Sequence, residues 1–306
     1  MPFSLYKDLE DPHQLIKSII DNVPGAIYRC KWDESFEMLF ISDAFRDITG
    51  YSISRFIGTS KEAFIHLIFP DDVEESQAKV QEALRKGEGF DIEYRMIRKN
   101  GQIVWVNERG KGIYDEKTGN LLYQDGTFFD VTERKTISDE LIRKEELLQE
   151  AEKLTKILIV GGENQNVELK SSLRWNLHSG KIGKEIEIAW LKTLVAFMNS
   201  DGGTLLIGVS DDGEILGTEI DKFKNDDRYL LHVNNAIKSH IGLEHITYLS
   251  FGLVPIQGKK ILKIECQPSK DPVFLSIDGK EEFYARFGPS SRQLSTKEVL
   301  NYVKNR

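Results

Sequence analysis

Apolar residues in the first part of the chain repeat first with the period of a helix and then with that of strands. Residues 11–23, "DPHQLIKSIIDNV", have helical spacing and predict a short amphipathic helix. Two strands and several short helical pieces follow, and the Pro-Asp-Asp sequence at 70–72 begins the longest of these helices. Three further strands are predicted at 90–97, 103–115 and 121–132.

The next segment, residues 133–159, lacks Gly and Pro and is rich in Glu, Lys and Leu. This composition predicts one continuous helix. Apolar residues fall near a seven-residue repeat at Ile137, Leu141, Leu148, Ala151 and Leu158, with Lys144 and Thr155 as weaker members. Two interpretations are open: a solvated helix packed on its own neighbouring domain, or a short coiled coil between two chains.

Residues 160–306 mix helical and strand patterns. A helix at 183–200 is followed by the buried strand "TLLIGV", the tight turn "SDDG" and a return strand, "EILGTEI", which is expected to pair with it. A helix, two adjacent strands and a hairpin are predicted at 227–241, 248–256, 259–267 and 271–288. Ser295 and Glu298 form a capping box that begins the last helix. The whole chain therefore predicts an α+β fold.

Two adjacent glycines, Gly202 and Gly203, raise the question of a phosphate-binding loop. Such a loop follows a strand and opens a helix, because the helix N-terminus supplies the positive field. Here the glycines follow a helix and precede a strand, and no "GK[ST]" sequence comes after them. We therefore interpret them as a helix stop and a closely packed strand entry.

Carboxylates provide the candidate chemistry of this region. In the predicted strand "VELK", Glu168 and Lys170 lie on one face, about 6.5–7 Å apart along the chain. Glu163 precedes them, and Asp211 lies in the predicted turn. Carboxylates that hold a divalent metal beside a lysine suit phosphodiester cleavage. The pattern alone is weak, because exposed strands commonly alternate charges.

The order of elements in residues 11–132 resembles a PAS sensor domain. The resemblance rests on "AFRDITGYS", "FPDDVE", "IRKNGQIVWV" and "FDVTERK". It implies an antiparallel five-stranded sheet with flanking helices, and a junction at 133–159 that passes motion to an effector, which favours the dimerising helix. The ligand is unknown. Flavin photochemistry is not expected, because the helical middle has no cysteine, and His66 is expected to be packed and not to ligate haem.

Residues 160–306 resemble a Schlafen AlbA-type domain. The resemblance rests on "E-x4-E-x-K-SS" at 163–172, on "KTLVAFMNSDGGTLLIGVSDDGEILG", and on the tail "FYARFGPSSRQLSTKEVLNYV". Microbial members are described as nucleic-acid-binding modules and often as transcriptional regulators, whereas in animal Schlafens the domain forms the core of a metal-dependent endoribonuclease. By this resemblance Glu163, Glu168 and Asp211 would hold Mg²⁺ or Mn²⁺, and Lys170 would assist.

Two departures from the Schlafen pattern weaken the enzyme interpretation. Ser210 stands where relatives often have a first Asp, and the chain has one copy of the core where the animal enzymes have two. A homodimer through the PAS domain or the connecting helix would supply the second copy.

Net charge limits the classes of partner. The formal charge is −8, and residues 160–306 carry 19 basic and 19 acidic residues, so the excess acid lies upstream. Nucleic-acid contact would therefore need a local basic patch. The residues proposed for it are Lys170, Arg174, Arg286 and Arg292, the last two on either side of "FGPSS".

Cysteines and apolar runs limit the cellular location. Two distant cysteines, Cys30 and Cys266, provide neither a disulfide framework nor a zinc cluster. No apolar run approaches the roughly 18 residues of a membrane span, and the N-terminus lacks the pattern of a secretion signal. A cytoplasmic protein without a membrane partner is expected.

The sequence thus predicts a PAS sensor at 11–132, a helical linker at 133–159 and a Schlafen AlbA-type effector at 160–306. The leading hypothesis is a signal-responsive regulator that binds DNA or RNA. A metal-dependent ribonuclease that uses Glu163, Glu168, Asp211 and Lys170 is the first alternative. A protein-interaction scaffold is the second.

Overall fold

A computed structural model describes residues 11–32, 37–59 and 64–305. The chain divides into two units, Met1–Ile142 and Arg143–Arg306. Among the described helices, none combines the length and the apolar character that crossing a bilayer requires.

The first unit is built on one antiparallel sheet with the strand order β2-β1-β5-β4-β3. Its strands are β1 Ala26–Lys31, β2 Met38–Ile41, β3 Phe90–Ile97, β4 Ile103–Tyr114 and β5 Leu121–Asp130. Its helices are α1 Pro12–Asn22, α2 Ala44–Thr49 and α3 Val73–Arg85, with short 3₁₀ helices at Ile53–Arg55 and Pro70–Asp72. The five-stranded sheet with flanking helices confirms the predicted fold of this part.

One face of this sheet is covered by the helices and forms the core. Strand β3 alternates buried and less buried positions, as its sequence predicted. The ring of Phe128 on β5 stacks on that of Tyr28 on β1, with centroids 4.7 Å apart. The buried face of β4 carries Val104, Val106 and, two positions further, Glu108. A carboxylate therefore lies inside an otherwise apolar layer.

Helix α4, Thr132–Gly161, begins directly after β5 and runs from the first unit into the second. Its first turn is tied to the first unit, because the Thr132 hydroxyl accepts a hydrogen bond from the backbone N–H of Trp105 (3.0 Å) and Lys135 pairs with Glu93 (2.7 Å). Its other end is anchored in the second unit, where Thr155 and Ile159 are buried. The prediction of one continuous helix is confirmed.

The second unit contains a mixed four-stranded sheet with the order β10-β11-β9-β6 and a three-stranded sheet, β12-β13-β14. Its strands are β6 Val167–Lys170, β7 Trp175–Asn176, β8 Lys181–Ile182, β9 Gly203–Ile207, β10 Leu249–Ile256, β11 Lys259–Cys266, β12 Leu275–Ile277, β13 Lys280–Phe287 and β14 Ser290–Leu294. Its further helices are α5 Lys184–Met198, α6 Asp226–His240 and α7 Thr296–Lys304. The capping box predicted for α7 is present, and Glu298 accepts the Ser295 backbone N–H at 2.8 Å.

The predicted return strand after the "SDDG" turn does not form. Only one bridge, Val209 to Ile215, joins the two arms, and the chain then enters a 3₁₀ helix at Thr218–Asp221. The reason is topological: β9 pairs in parallel with β6 on one side and antiparallel with β11 on the other, so both of its edges are occupied.

The two glycines are structural, as predicted. Gly202 has a φ of +79°, and its N–H caps α5 by donating to the Phe197 carbonyl at 3.0 Å. A Cβ on Gly203 would lie 2.5 Å from the Phe197 ring and 2.7 Å from the Asn166 carbonyl oxygen. Close packing therefore requires glycine at the entry to β9.

Candidate functional site

Glu168 lies at the centre of the candidate site in the second unit. It occupies the middle of β6, which pairs in parallel with β9, and only 8% of its surface is exposed. Its strand neighbours Val167 and Leu169 belong to the apolar cluster that includes Ile159 of α4. A buried carboxylate needs a charged or hydrogen-bonding partner.

Arg286 of β13 provides that partner. Its side chain is fully buried, and one guanidinium nitrogen donates to Glu168 Oε2 at 2.8 Å. The guanidinium also donates to the carbonyl oxygens of Asn164 (2.6 Å) and Gln165 (3.2 Å) and to the Ser291 hydroxyl (3.2 Å). The sequence interpretation placed Arg286 beside the "FGPSS" turn as a contact for nucleic acid, and the structure buries its side chain inside the domain. The reason is that Arg286 belongs to strand β13, where it faces the interior of the domain.

Lys170 and Glu163 complete this cluster. The Lys170 ammonium donates to Glu168 Oε1 at 2.6 Å and lies 3.6 Å from Glu163 Oε1. Glu163 Oε1 also accepts the backbone N–H of Leu169 at 3.0 Å, which fixes the carboxylate beside β6. Two acids and two cations are therefore brought together, and of these contacts the spacing predicted only that between Glu168 and Lys170.

Asp211 is the third predicted metal ligand, and it lies in the exposed turn after β9. Among the described residues, no three His, Cys, Asp or Glu side chains are grouped so that they could hold a metal ion. The oxygens of Glu168 are instead bound by Arg286 and Lys170. This arrangement of side chains does not fit a metal, and Mg²⁺ or Mn²⁺ at these acids stays a prediction from the resemblance.

The four basic residues proposed for nucleic acid do not form one patch of free charge. Lys170 and Arg286 pair with Glu168, and Arg292 pairs with Glu298 at 2.5 Å. Arg174 makes no ion pair within the described part of the chain. Its guanidinium lies 3.6 Å from the centroid of the Phe223 ring. Arg174 is therefore the member of the set whose charge stays available to an anion.

The first unit contains a second polar cluster, inside a cavity of about 90 Å³. Both oxygens of Glu108 accept tyrosine hydroxyls, from Tyr28 and, at 2.7 Å, from Tyr94. Gln124 donates to the Tyr28 hydroxyl oxygen at 2.5 Å. Burial raises the pKa of Glu108, and the two tyrosine hydroxyls that donate to it oppose that shift. His66 was expected to be packed, but it is exposed, and it does not line this cavity.

Sequence reasoning missed the Glu108 cluster, although a signal was present. Within "IVWVNERG" the strand period of two places Glu108 on the same face as Val104 and Val106. An acid in register with two valines predicts a buried carboxylate. Tyr28, Tyr94 and Gln124 lie on three other strands, and nothing local connects them to Glu108.

Family comparisons agree with this two-part organisation. Residues 38–127 match the family model described as PAS fold, and residues 163–295 match the model described as Schlafen, AlbA_2. Sporulation kinase C of Bacillus subtilis (strain 168) is 33% identical over 155 residues, which are 49% of this chain and 33% of that protein. Sensor protein FixL of Bradyrhizobium diazoefficiens is 26% identical over 104 residues, which are 34% of this chain and 20% of that protein.

A solved structure, the sensory box histidine kinase/response regulator from Burkholderia thailandensis E264, is also similar. It is 24% identical, covers 44% of this chain and 98% of its own, and gives a TM-score of 0.38. The chain spans a third or less of the length of the two curated relatives. The resemblances predicted from sequence are confirmed by the family matches: the chain carries a PAS sensor domain followed by a Schlafen AlbA_2 domain.

Proposed function

We propose that this protein is a signal-responsive regulator in which the PAS domain controls nucleic-acid binding by the AlbA_2 domain. The observation that carries the proposal is helix α4, which starts at the last strand of the sensor and ends in the core of the effector. A continuous helix transmits rotation or translation along its axis better than a flexible linker does.

The end of α4 is placed to act on the candidate site. Ile159 packs in one apolar cluster with Val167 and Leu169, the neighbours of Glu168, and with Val209 and Ile215, which flank the Asp211 turn. Movement of the helix end therefore changes the packing beneath both features. This geometry supports control of the effector by the position of α4.

We also propose that two chains associate through the first part of α4. In this part of the seven-residue repeat, Ile137, Leu141 and Leu148 are exposed to 51%, 57% and 41%. Thr155, later in the repeat, is buried within its own effector. The repeat is thus divided between an open half, available to a second chain, and a half that anchors the effector.

The cation arrangement supports binding in preference to cleavage. Two cations occupy the oxygens of Glu168, and Arg174 keeps a charge without a carboxylate partner among the described residues. A protein that neutralises phosphates with such cations binds with an affinity that falls as salt rises.

The test is incubation of the full chain with a pool of folded RNAs and with duplex DNA, in Mn²⁺, beside the variant Asp211→Asn. Asp211 is exposed, so this change leaves the core intact, whereas Glu168→Gln would remove the partner of a buried guanidinium. A regulator retards nucleic acid on a native gel without cutting it, and Asp211→Asn behaves like the wild type.

Two other outcomes would overturn the proposal. Cleavage by the wild type that is lost in Asp211→Asn would establish the ribonuclease. Neither retardation nor cleavage would favour the interaction scaffold. Light scattering on the same preparation measures whether the protein has twice the mass of one chain.

A further inference from the structure

The β7–β8 hairpin of the effector has an unusual balance of charge. Residues 169–184 include four Lys or Arg and no Asp or Glu, although residues 160–306 as a whole carry equal numbers of acids and bases. Leu177 and Ile182 in the hairpin are 48% and 62% exposed. Lys170 and Lys184 pair with Glu168 and Asp278, whereas Arg174 and Lys181 make no ion pair with a described residue. Exposed apolar residues beside such cations are characteristic of a binding surface.

The base of the hairpin is held rigidly by a buried acid. The Asp221 carboxylate accepts the backbone N–H groups of Leu173 (2.9 Å), Arg174 (2.8 Å) and Trp175 (3.1 Å). Burial raises the pKa of Asp221, and these backbone donors oppose that shift. Three consecutive backbone bonds to one buried side chain fix Arg174 and Trp175 before any ligand arrives, which reduces the entropy lost on binding.

Two cations at this base are held by aromatic rings. The Arg174 guanidinium lies 3.6 Å from the Phe223 ring centroid, and its Nε donates to the Asp221 carbonyl at 3.1 Å. The Lys222 ammonium lies 3.6 Å from the Trp175 ring centroid. Neither forms an ion pair with a described residue. A ring orients a cation without neutralising it, so both charges remain available to an anion.

Backbone strain at Lys222 supports a functional role. Its φ is +54°, in the left-handed region that favours glycine, and its N–H bonds the Glu219 carbonyl at 3.1 Å. Strain of this kind persists where the surrounding structure enforces it, often at ligand sites. The conformation places a lysine, and not a glycine, directly beside Arg174, whose guanidinium reaches the Lys222 carbonyl at 3.4 Å.

Nearby carboxylates have other partners. Glu187 bonds His232 at 2.5 Å, Glu185 accepts the Asn176 amide at 2.9 Å, and Asp226 pairs with Lys260. The positive charge of Arg174 and Lys222 is therefore not cancelled by direct contact with these acids.

An apolar platform adjoins the two cations. Trp175 and Ile182 are directly opposite each other in the hairpin, so their side chains share one face. Single-stranded nucleic acid offers both a phosphate backbone and exposed base faces, whereas a duplex buries the base faces in its stack.

We propose that the β7–β8 hairpin, with Lys222, binds single-stranded nucleic acid. Arg174 and Lys222 contact phosphates, while bases pack against Ile182 and against the Trp175 ring on the face that Lys222 does not cover. This inference rests on the proposed function and specifies its surface and its substrate class.

The test measures the affinity of the full chain for a fluorescently labelled single-stranded RNA, for the same sequence as DNA, and for the DNA duplex, at several salt concentrations. Arg174→Gln/Lys222→Gln is expected to weaken single-strand binding roughly tenfold or more and to reduce the salt slope by about 1–2. The control Lys238→Gln/Lys270→Gln removes the same charge from exposed positions elsewhere in the domain and should change neither. The RNA and DNA arms show whether the sugar matters.

A second variant separates folding from binding. Lys222→Gly relieves the left-handed strain, so it should keep or raise the thermal stability while it weakens binding. The inference is overturned, and the proposed function stands, if Arg174→Gln/Lys222→Gln and Lys222→Gly bind single strands as tightly as the wild type does. The same holds if the wild type binds the duplex more tightly than the single strands. If wild type binds none of the probes, the proposed function fails together with it.

Discussion

Among the described residues, each domain buries one glutamate within a strand, and the two glutamates have different hydrogen-bond partners. Glu108 in the sensor and Glu168 in the effector are 6% and 8% exposed. The oxygens of Glu108 accept neutral donors, the hydroxyls of Tyr28 and Tyr94 and the Gln124 amide (3.5 Å), whereas those of Glu168 accept hydrogen bonds from the cations Lys170 and Arg286. The sensor thus contains a buried acid without a cation in contact, and the effector contains a buried ion pair.

The difference separates a buried acid with neutral hydrogen-bond donors from one that is held in an ion pair. Without a cation, the low dielectric of the interior favours the protonated acid, and burial accordingly raises the pKa of Glu108. The Arg286 guanidinium, 2.8 Å from Glu168, compensates the charge of that carboxylate. Removal of one partner therefore leaves the other as an unpaired buried charge, which is costly. Neutral hydroxyls therefore hold the sensor acid, whereas an ion pair holds the effector acid and joins β6 to β13.

Removal of Arg286 tests the ion pair and should have the largest effect. Arg286→Ala leaves Glu168 buried without its main partner and also removes the bonds to Asn164, Gln165 and Ser291. We expect a loss of about 3–5 kcal/mol in the free energy of unfolding of the effector. Amide hydrogen exchange of β6 and β13 measures this separately from the sensor.

Arg292→Ala is the matched control for Arg286→Ala. Arg292 lies on the adjacent strand β14 and pairs with Glu298, but its side chain is 58% exposed. Its removal should cost less than about 1 kcal/mol. Equal losses in the two variants would show that the buried Arg286–Glu168 pair contributes no more to stability than the exposed Arg292–Glu298 pair does.

How much the sequence predicts depends on the range of the interaction. Strand period and turn residues sufficed for β3, β10 and β11, because alternation is local. The capping box of α7 and the glycine stop of α5 were also predictable, because their partners lie within a few positions. The partnership of Arg286 with Glu168 was not predictable, because 118 positions separate them along the chain.

The failed hairpin after β9 has the same cause. The sequence of the "SDDG" turn is appropriate for a two-stranded hairpin, but β6 and β11 occupy both edges of β9. β11 begins more than fifty residues further along, at Lys259, so no local pattern reveals that the edge is taken. Lys222 was missed for a similar reason: its contact with Trp175 exists only in the folded domain.

The response of the sensor to pH tests the other side of the comparison. Because the folded-state pKa of Glu108 is raised above its ordinary value of 4.5, its contribution to stability is fully present below pH 4.5 and is lost as pH rises through the raised value. The slope is at most about 1.4 kcal/mol per pH unit, the limit for one proton. Glu108→Gln should remove it, as measured by hydrogen exchange of β4 and β5.

Glu93→Gln is the control with the opposite sign. The Lys135 ammonium, with help from Arg134, lowers the pKa of Glu93, so its contribution is present above 4.5 and is lost as pH falls through the lowered value. Compared with the wild type, the dependence of stability on pH should be flatter above pH 4.5 in Glu108→Gln and flatter below pH 4.5 in Glu93→Gln. A Glu108→Gln curve that keeps the wild-type shape would contradict the role of Glu108 as the titrating group.

Lys170 should contribute least, although it is closer in sequence to Glu168 than Arg286 is. Its ammonium reaches Glu168 at 2.6 Å, but its side chain is 27% exposed, so water replaces much of what Lys170→Gln removes. Glu168 also keeps Arg286, and we expect a loss below about 1 kcal/mol by hydrogen exchange of β6. The double variant Lys170→Gln/Arg286→Ala leaves Glu168 with neither cation, so removal of Lys170 should cost more there than it does in the wild type. If Lys170→Gln alone costs as much as Arg286→Ala, the effector acid depends on its partly exposed partner as much as on its buried one.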